Sequence, residues 1–172
     1  MGEAEKTEVV KEKKTNNLTD LAGKYLTFKL AQEEYGLEIL TVREIMGMME
    51  ITMVPQTPDY LKGVINLRGK VIPVIDLRSK FGMEESEYTK ETCIIVVDVQ
   101  NILMGIIVDT VSEVIDVNGA EIEPPPKFST SIRTDFIMGI GKTKGNIVIL
   151  LDIDKVLSVE EFEALDSLAE TE

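Results

Sequence analysis

Histidine and tryptophan are absent from these 172 residues, and cysteine occurs once, as Cys93. Without histidine, the chain lacks the side chain that most often transfers protons near neutral pH and the commonest transition-metal ligand. One cysteine cannot form an intramolecular disulfide or a thiolate cluster, so we interpret Cys93 as a small buried apolar residue. The composition argues against acid–base catalysis, thiol catalysis and a metal centre, and no cofactor is expected.

Positive charge is scarce, because 18 Lys and Arg are outnumbered by 31 Asp and Glu, which gives a net charge of −13. Affinity for nucleic acid or for an anionic bilayer depends on cationic side chains, so neither is expected as a partner. No apolar run reaches the ~18–20 residues of a membrane span, and the N-terminus lacks the apolar segment of a signal peptide. We therefore expect a cytoplasmic protein that does not insert into a membrane. A monomer in isolation is also expected.

The apolar residues are mostly aliphatic, since 44% of the chain is hydrophobic but only 5% is aromatic. Runs rich in Val and Ile favour strands over helices. In GVINLRGKVIPVIDLRSKF, residues 63–81, two such runs flank Arg68-Gly69-Lys70, which is typical of a β-hairpin with a tight turn. This pattern predicts that Arg68 lies at the tip with its guanidinium in solvent. It also predicts that Pro73, which has no N–H to donate, lies at a sheet edge or a bulge.

The hairpin pattern recurs later in the chain. GIGKTKGNIVILLDIDKVL, residues 139–157, matches residues 63–81 without a gap, and MGIIVDTVSEV, residues 104–114, matches YGLEILTVREI, residues 35–45. Two matches in the same order indicate an internal duplication, with the second lobe beginning at Thr92. Many short strands with regular turns are typical of a small barrel or sandwich. We therefore expect a mainly β fold of two lobes with a groove between them.

The ends of the chain differ from its middle. Residues 1–17 are charged and poor in apolar side chains, so a disordered tail is expected there, followed by a domain over residues 18–158. Ser158-Val159-Glu160-Glu161 matches a capping box. It predicts a C-terminal helix and tail over residues 159–172, with Phe162, Leu165 and Leu168 on one helix face.

Three short segments lead to further predictions. Val42, Ile45 and Met46 are spaced three to four residues apart, which predicts a short helical turn. The methionines of GMMEITM, residues 47–53, either fill the core or line an adaptable binding groove. Pro124-Pro125-Pro126 is a stiff extended segment, which serves as a spacer or as a ligand for a proline-reading domain.

Aspartates at strand ends are the remaining candidates for catalysis, and they are Asp76, Asp98, Asp109, Asp116, Asp152 and Asp154. Such residues usually cap the following turn. Asp152 and Asp154 could bind a hard cation, but no third ligand follows at metal-loop spacing, and no phosphate loop or nucleophile elbow is present. The residues therefore favour binding, either as an adaptor or as a regulatory domain with a small ligand between its lobes. An aspartate-dependent hydrolase is the catalytic alternative.

Four segments together resemble the CheW family of bacterial chemotaxis coupling proteins. They are YGLEILTVREI, KGVINLRGKVIPVIDLRSKF, GIIVDTVSEVI and MGIGKTKGNIVILLDIDKVL, in the family's order over roughly residues 22–158. The resemblance implies two five-stranded SH3-like β-barrel lobes that share a hydrophobic core, with short helical turns and a C-terminal helix. It also implies a non-enzymatic adaptor that joins the regulatory domain of the histidine kinase CheA to the cytoplasmic tips of methyl-accepting chemoreceptors. Receptor binding would recruit such a protein to membrane receptor arrays.

The resemblance further implies two sets of contact residues. The receptor-binding set, in the groove between the lobes, comprises Val42, Glu44, Cys93, Gly105, Val111 and Val114. Kinase coupling is implied for Arg68, with Glu44 as its acidic partner. The family often has an aliphatic residue in place of Cys93. From residue chemistry alone, Arg68 and Glu44 are either solvated surface charges or a planar pair available to a partner.

Overall fold

The computed structural model describes residues 22–125 and 135–170. The tail expected over residues 1–17, and Pro126 of the proline run, lie outside the described residues. In the described part the strands are β1 (Gly23–Leu30), β2 (Glu33–Glu38), β3 (Val42–Gly47), β4 (Leu61–Leu67), β5 (Lys70–Asp76), β6 (Cys93–Val99), β7 (Ile102–Val108), β8 (Thr110–Val117), β9 (Ile122–Glu123), β10 (Ile137–Thr143) and β11 (Asn146–Leu151). The helices are α1 (Leu77–Lys80), α2 (Ile153–Val156) and α3 (Val159–Glu170), with 3₁₀ turns at Ile39–Thr41 and Gly119–Glu121.

The strands form two sheets, and each sheet belongs to one lobe. The six-stranded lobe has the order β8-β1-β2-β11-β10-β9, in which β9 contributes two residues. The five-stranded lobe has the order β3-β6-β7-β5-β4. The prediction of a mainly β fold with two lobes is confirmed.

The internal duplication is confirmed down to its irregular details. Hairpin β4–β5 continues into α1, and hairpin β10–β11 continues into α2 at the same spacing. Both hairpins have a register shift in their first strand. Both turn through two residues with positive φ, Arg68–Gly69 and Lys144–Gly145. The two repeats therefore share one plan, including its bulges and turns.

The boundary between the lobes is not the boundary between the repeats, so the expected start of the second lobe at Thr92 is wrong. Strand β3 of the first repeat pairs with β6 of the second, and β8 of the second repeat pairs with β1 of the first. The five-stranded lobe is consequently the continuous segment 42–108. The six-stranded lobe combines β1 and β2 with β8–β11. Apolar spacing could not reveal this exchange, because it does not report which strands become neighbours.

The helical turn predicted from Val42, Ile45 and Met46 is wrong, because these residues lie in strand β3. The register of β3 against β6 shifts between Val42 and Glu44. Such a bulge adds one residue and interrupts the alternation of side chains between the two faces of a sheet. The helix-like spacing came from this interruption, and the helical turn lies upstream, at Ile39–Thr41.

The edge or bulge predicted for Pro73 is also wrong. Strand β5 lies between β4 and β7, and Pro73 is opposite Val64 in regular register. The N–H and C=O of Val64 point away from β5 and bond to Thr52 at 2.9 Å each, so Val64 and Pro73 form a non-hydrogen-bonded pair. On the other side, the ladder with β7 begins at Val74. Proline is tolerated in this inner strand because neither ladder uses the missing N–H.

One cluster of buried side chains joins the two sheets. Phe28 and Leu37 reach it from the six-stranded sheet, and Ile75 and Val97 reach it from the five-stranded sheet, all with 0% exposure. Fully burying a side chain of this size contributes roughly 1.5–3 kcal/mol. We call this cluster the shared core, and a smaller cluster fills each lobe separately.

The capping box predicted for the C-terminal helix is confirmed. The Glu161 N–H donates to Ser158 Oγ at 3.1 Å, and the Ser158 N–H donates to Glu161 Oε1 at 2.8 Å. Reciprocal bonds of this kind satisfy donors that a helix start leaves unpaired. Helix α3 therefore begins where the sequence places it.

Helix α3 docks on the five-stranded lobe although it follows the six-stranded lobe in sequence. Lys80 Nζ donates to both carboxylate oxygens of Glu161 at 2.9 Å, and it lies 4.8 Å from the centroid of the Tyr60 ring. Burial, together with the charge and hydrogen bond of Glu161, raises the pKa of Tyr60 to about 12. Leu165 enters the shared core and Phe162 packs against it, whereas the Leu168 side chain lies outside what the structure describes.

Candidate functional site

The tip of hairpin β4–β5 is a two-residue turn whose geometry presents Arg68 outward. Arg68 has φ 52° and Gly69 has φ 86°, and positive φ at both central positions is typical of the turn that joins twisted antiparallel strands. The Asn66 side chain accepts a bond from the Gly69 N–H at 2.9 Å. The Arg68 side chain is 72% exposed, so the predicted exposure of the guanidinium is confirmed.

Arg68 and Glu44 form a two-pronged ion pair. Arg68 Nη1 donates to Glu44 Oε1 at 2.8 Å, and Nη2 donates to Oε2 at 2.9 Å. The hydrogen bond from Arg68 lowers the pKa of Glu44 below its ordinary value. A guanidinium has five N–H donors, and two of them bond Glu44 here. The two charges are therefore paired with each other while remaining exposed to solvent.

This ion pair spans the two ends of the five-stranded sheet. Glu44 lies on β3 and Arg68 on the β4–β5 turn, and β3 and β4 are the outermost strands of the sheet. The ends of a sheet approach each other in this way when the sheet curls toward a barrel. The pair is therefore an exposed contact at the point where the two ends of this lobe meet.

Three of the apolar residues implied for receptor binding lie at the border of the shared core. Val42 is the first residue of β3 and Val111 is the second residue of β8, just after the chain has crossed from one lobe to the other, and both are half-buried. Cys93 begins β6 opposite Val108 and is also half-buried. All three pack against the shared core, so the structure brings them to the junction of the lobes.

Besides Glu44, two implied receptor residues remain, and they differ sharply from each other. Val114 lies on the edge strand β8 and is 49% exposed. Gly105 is buried inside the five-stranded sheet, where a Cβ atom would lie 2.9 Å from Ile94 Cγ2 and 3.3 Å from Val74 Cγ2. Val114 is therefore accessible to a partner, whereas Gly105 allows neighbouring strands to pack closely.

The methionines around residues 47–53 divide between the two roles considered for them. Met48 packs against the separate core of the five-stranded lobe. Met49 is 37% exposed and Met53 is 83% exposed. Met53 lines an open cleft of this lobe with Met83 and Tyr88. The first methionine of the run fills the core, while the last lies on a surface cleft that is not the groove between the lobes.

Three of the six strand-end aspartates act as turn or helix caps, as expected. Asp76 accepts from the N–H groups of Arg78 and Ser79. Asp98 accepts from Asn101 at 3.0 Å, and Asp152 accepts from the Asp154 N–H at 3.1 Å. Asp152, which was considered with Asp154 as a cation ligand, thus serves as the N-cap of α2.

Asp109 departs from this pattern, and sequence reasoning missed its role. It accepts from Arg78 Nε at 2.8 Å and from Arg78 Nη2 at 2.5 Å, and the Ala31 N–H donates to it at 2.8 Å. Asp109 is the single residue between β7 and β8, where the chain crosses between lobes. The hydrogen bond from Arg78 lowers the pKa of Asp109. We call Arg78, Asp109 and Ala31 the inter-lobe clasp, and the arginine of the DLR segment was the available signal.

The described residues hold neither a metal-binding cluster nor a membrane-spanning helix. In segments 22–125 and 135–170, no group of three or more acidic or cysteine side chains is arranged to hold a metal ion. No helix in those segments is long and apolar enough to cross a bilayer.

Comparison with known proteins gives concordant matches. The model of the family described as "CheW-like domain" matches residues 24–161. "Chemotaxis protein CheW" of Klebsiella aerogenes is 41% identical over 147 residues, covering 86% of this chain and 89% of the relative. Its Bacillus subtilis namesake is 36% identical over 141 residues, covering 82% and 90%. The crystal structure of scaffolding protein TtCheW from Thermoanaerobacter tengcongensis matches with a TM-score of 0.75 and 41% identity, over 81% of this chain and 95% of that one.

Proposed function

The chain belongs to the CheW family, and on that premise we propose that it is a non-enzymatic adaptor that couples chemoreceptors to the histidine kinase CheA. The exposed ion pair of Arg68 and Glu44 on a rigid turn is the observation that carries this proposal. A side chain held by two bonds is already ordered, so a partner binds it at a smaller entropic cost. Asp76, Asp98 and Asp152 cap turns or helix starts, and Asp109 and Asp116 are in ion pairs, which agrees with a binding role.

The receptor side of the adaptor lies at the junction of the lobes. A chemoreceptor tip is helical, and an apolar helix face fits a groove bordered by Val42, Val111 and the exposed Val114 in the helix-in-groove mode. Cys93 borders the same junction with an apolar thiol side chain. Gly105 supports this surface from within, because it is buried. Individual contacts of this size are weak, and repetition in an array raises their combined strength.

The kinase side is the hairpin tip, with the regulatory domain of CheA as the partner. Arg68 offers donors to a carboxylate or carbonyl of that domain, and Glu44 keeps the guanidinium oriented. We propose that the protein works in the cytoplasm, at membrane receptor arrays, and that receptor binding brings it there. The isolated chain is proposed to be a monomer.

Replacing Arg68 by alanine is expected to weaken binding to a CheA regulatory domain by about tenfold, the size of a single hot-spot contact. The melting temperature should hardly change, because the side chain is 72% exposed. Titration calorimetry measures the binding and circular dichroism measures the melt. Lys144→Ala is the matched control, since Lys144 has φ 51° in the equivalent turn of the second repeat. Equal binding by the Arg68→Ala variant and the native protein would reject the hairpin tip as the kinase site.

Replacing Val114 by aspartate is expected to weaken binding to a receptor-tip fragment by at least about tenfold, because the charge would lose water in the apolar contact. The fold should survive, since Val114 is 49% exposed. Ile147→Asp is the control, because Ile147 is a 61% exposed apolar residue on β11 of the same sheet. A pulldown with the fragment compares the two variants. Equal losses from both would mean a general effect of charge and would move the receptor site elsewhere.

A further inference from the structure

The strand pairings sort into two kinds. We define the first half as residues 22–80, the second half as the described residues from 93 to 170, and the connector as residues 81–92. Within the first half, the described strands pair as two hairpins, β1–β2 and β4–β5. Within the second half, they pair as the hairpins β6–β7 and β10–β11, and β9 pairs with β10. The ladders that join hairpins into sheets, β1–β8, β2–β11, β3–β6 and β5–β7, all run between the halves.

Each half therefore presents strand edges that the other half satisfies. Isolated two-stranded hairpins are marginal in water, and an unpaired edge is a template for another strand. Both sheets and the shared core need a first half and a second half. The pairings themselves do not require that the two halves belong to the same molecule.

The connector is anchored to the first half. Arg78 donates to the Glu84 carbonyl at 2.9 Å, Lys62 pairs with Glu85 at 2.7 Å, and the Tyr88 hydroxyl donates to Asp76 at 3.0 Å. After Tyr88 the chain makes a turn and enters β6, the first strand of the second half. A change in the conformation of the connector can therefore move the second half away from its own first half, while the strands of the second half keep the edges that form the four ladders.

The two strands that the connector joins lie close together. Asp76 at the end of β5 and Ile94 near the start of β6 both pair with Ile107 of β7, from opposite sides. Neighbouring strands are about 4.8 Å apart, so the gap is roughly 10 Å. A flexible connector closes this gap within one molecule, where the effective concentration of the second half is on the order of millimolar.

From these pairings we infer that the partner each half can accept is the complementary half of a second copy of this chain. In the exchanged dimer, the first half of one copy pairs with the second half of the other in all four ladders, and only the connector changes conformation. Each dimer then contains two complete five-stranded lobes and so two Arg68–Glu44 pairs. Such a dimer is a bivalent form of the monomer, with no new type of contact.

The test is to replace residues 83–91 by fifteen prolines, a rod of about 46 Å at 3.1 Å per residue. The rod is too long for the gap of roughly 10 Å, so closure within one molecule is blocked and exchange is the remaining route to the fold. Fifteen Gly/Ser residues are the matched control, because they remove the same side chains but stay flexible. We expect a dimer for the proline chain and a monomer for the Gly/Ser chain by light scattering, both with cooperative melts. A proline chain that is a folded monomer, or that loses its β signal while the Gly/Ser chain keeps it, would overturn the inference.

The unmodified chain provides a second measurement that decides the question even if both replaced chains fail to fold. After unfolding in urea, it is refolded over a range from about 1 μM to about 1 mM, the order of the intramolecular effective concentration. Exchange predicts a dimer fraction that rises with concentration during refolding and persists after dilution. A monomer at every concentration would overturn the inference.

Discussion

Replacing Gly63 by alanine is expected to destabilise the protein by about 3 kcal/mol or more. Gly63 has φ +144°, and a Cβ atom there would lie 2.1 Å from the Thr52 carbonyl oxygen and 2.8 Å from Ile51 Cγ2. The obstacle is backbone, which cannot rotate aside as a side-chain tip can. Backbone strain costs of order 1–3 kcal/mol and overpacking costs a similar amount, so together they exceed an ordinary substitution.

The close approach at Gly63 has a definite cause. Val64 and Thr52 exchange two backbone bonds of 2.9 Å, which attach the segment after β3 to hairpin β4–β5. Alanine at position 63 would force this bridge open. Urea unfolding measures the change in free energy. Gly47→Ala is the control, because no atom lies within 4 Å of a Cβ at Gly47, and a shift within about 0.5 kcal/mol is expected. Similar small losses in both variants would contradict this account.

Replacing Asp109 by asparagine is expected to cost about 2 kcal/mol, the range for hydrogen bonds to charged groups. The change removes the charge from a carboxylate that accepts three bonds in the clasp. The Arg78 side chain is only 18% exposed and that of Asp109 is 29% exposed, so water replaces the lost interaction poorly. The lobes should then separate more easily, which denaturant unfolding measures.

The same variant should alter the response to acid. The hydrogen bond from Arg78 lowers the pKa of Asp109 below its ordinary 3.8, burial opposes this shift, and the Ala31 N–H supports it. A carboxyl group with a lowered pKa in the folded state stabilises the fold above its unfolded pKa. That stability is lost as the pH falls below 3.8 and through the folded value. Native and Asp109→Asn proteins should therefore differ most near neutrality and converge in acid.

A matched control separates the clasp from a general effect of lost charge. Asp116 pairs with Lys24 at 3.0 Å, but both side chains are mostly exposed, at 73% and 60%. Exposed ion pairs contribute about 0–1 kcal/mol, so Asp116→Asn should scarcely shift unfolding. If the two variants lose the same stability, the clasp has no special role in holding the lobes together.

Local chemistry accounts for the parts of the fold that sequence reasoning predicted well. The turn at Arg68–Gly69 needs positive φ at both positions, and a glycine between two apolar runs indicates it. The capping box at Ser158 uses side chains within four residues of each other. The duplication was visible because equivalent strands keep equivalent apolar positions, as Gly36 and Gly105 illustrate within their parallel ladders.

The predictions that were wrong also share one cause. A bulge in β3 imitated helical spacing, and Pro73 fits an inner strand because of how its two neighbours are bonded. Asp109 was expected to cap a turn, but its partner Arg78 lies 31 positions away in sequence. Each outcome depends on a strand or side chain that is distant along the chain, and no local pattern encodes that neighbour.

The order of residues alone was enough to indicate two copies of a β plan, an arginine on a stiff turn and the absence of histidine chemistry, because these follow from short-range sterics and composition. The folded chain was needed to reveal that β3 of the first repeat joins the sheet of β6 and that β8 of the second repeat joins the sheet of β1. It also revealed that Glu44 contacts Arg68 between the two outermost strands of one sheet. Hydrogen-bond ladders accept any strand with a compatible edge. The choice among such strands is made by packing of the whole shared core, which is a property of the assembled protein.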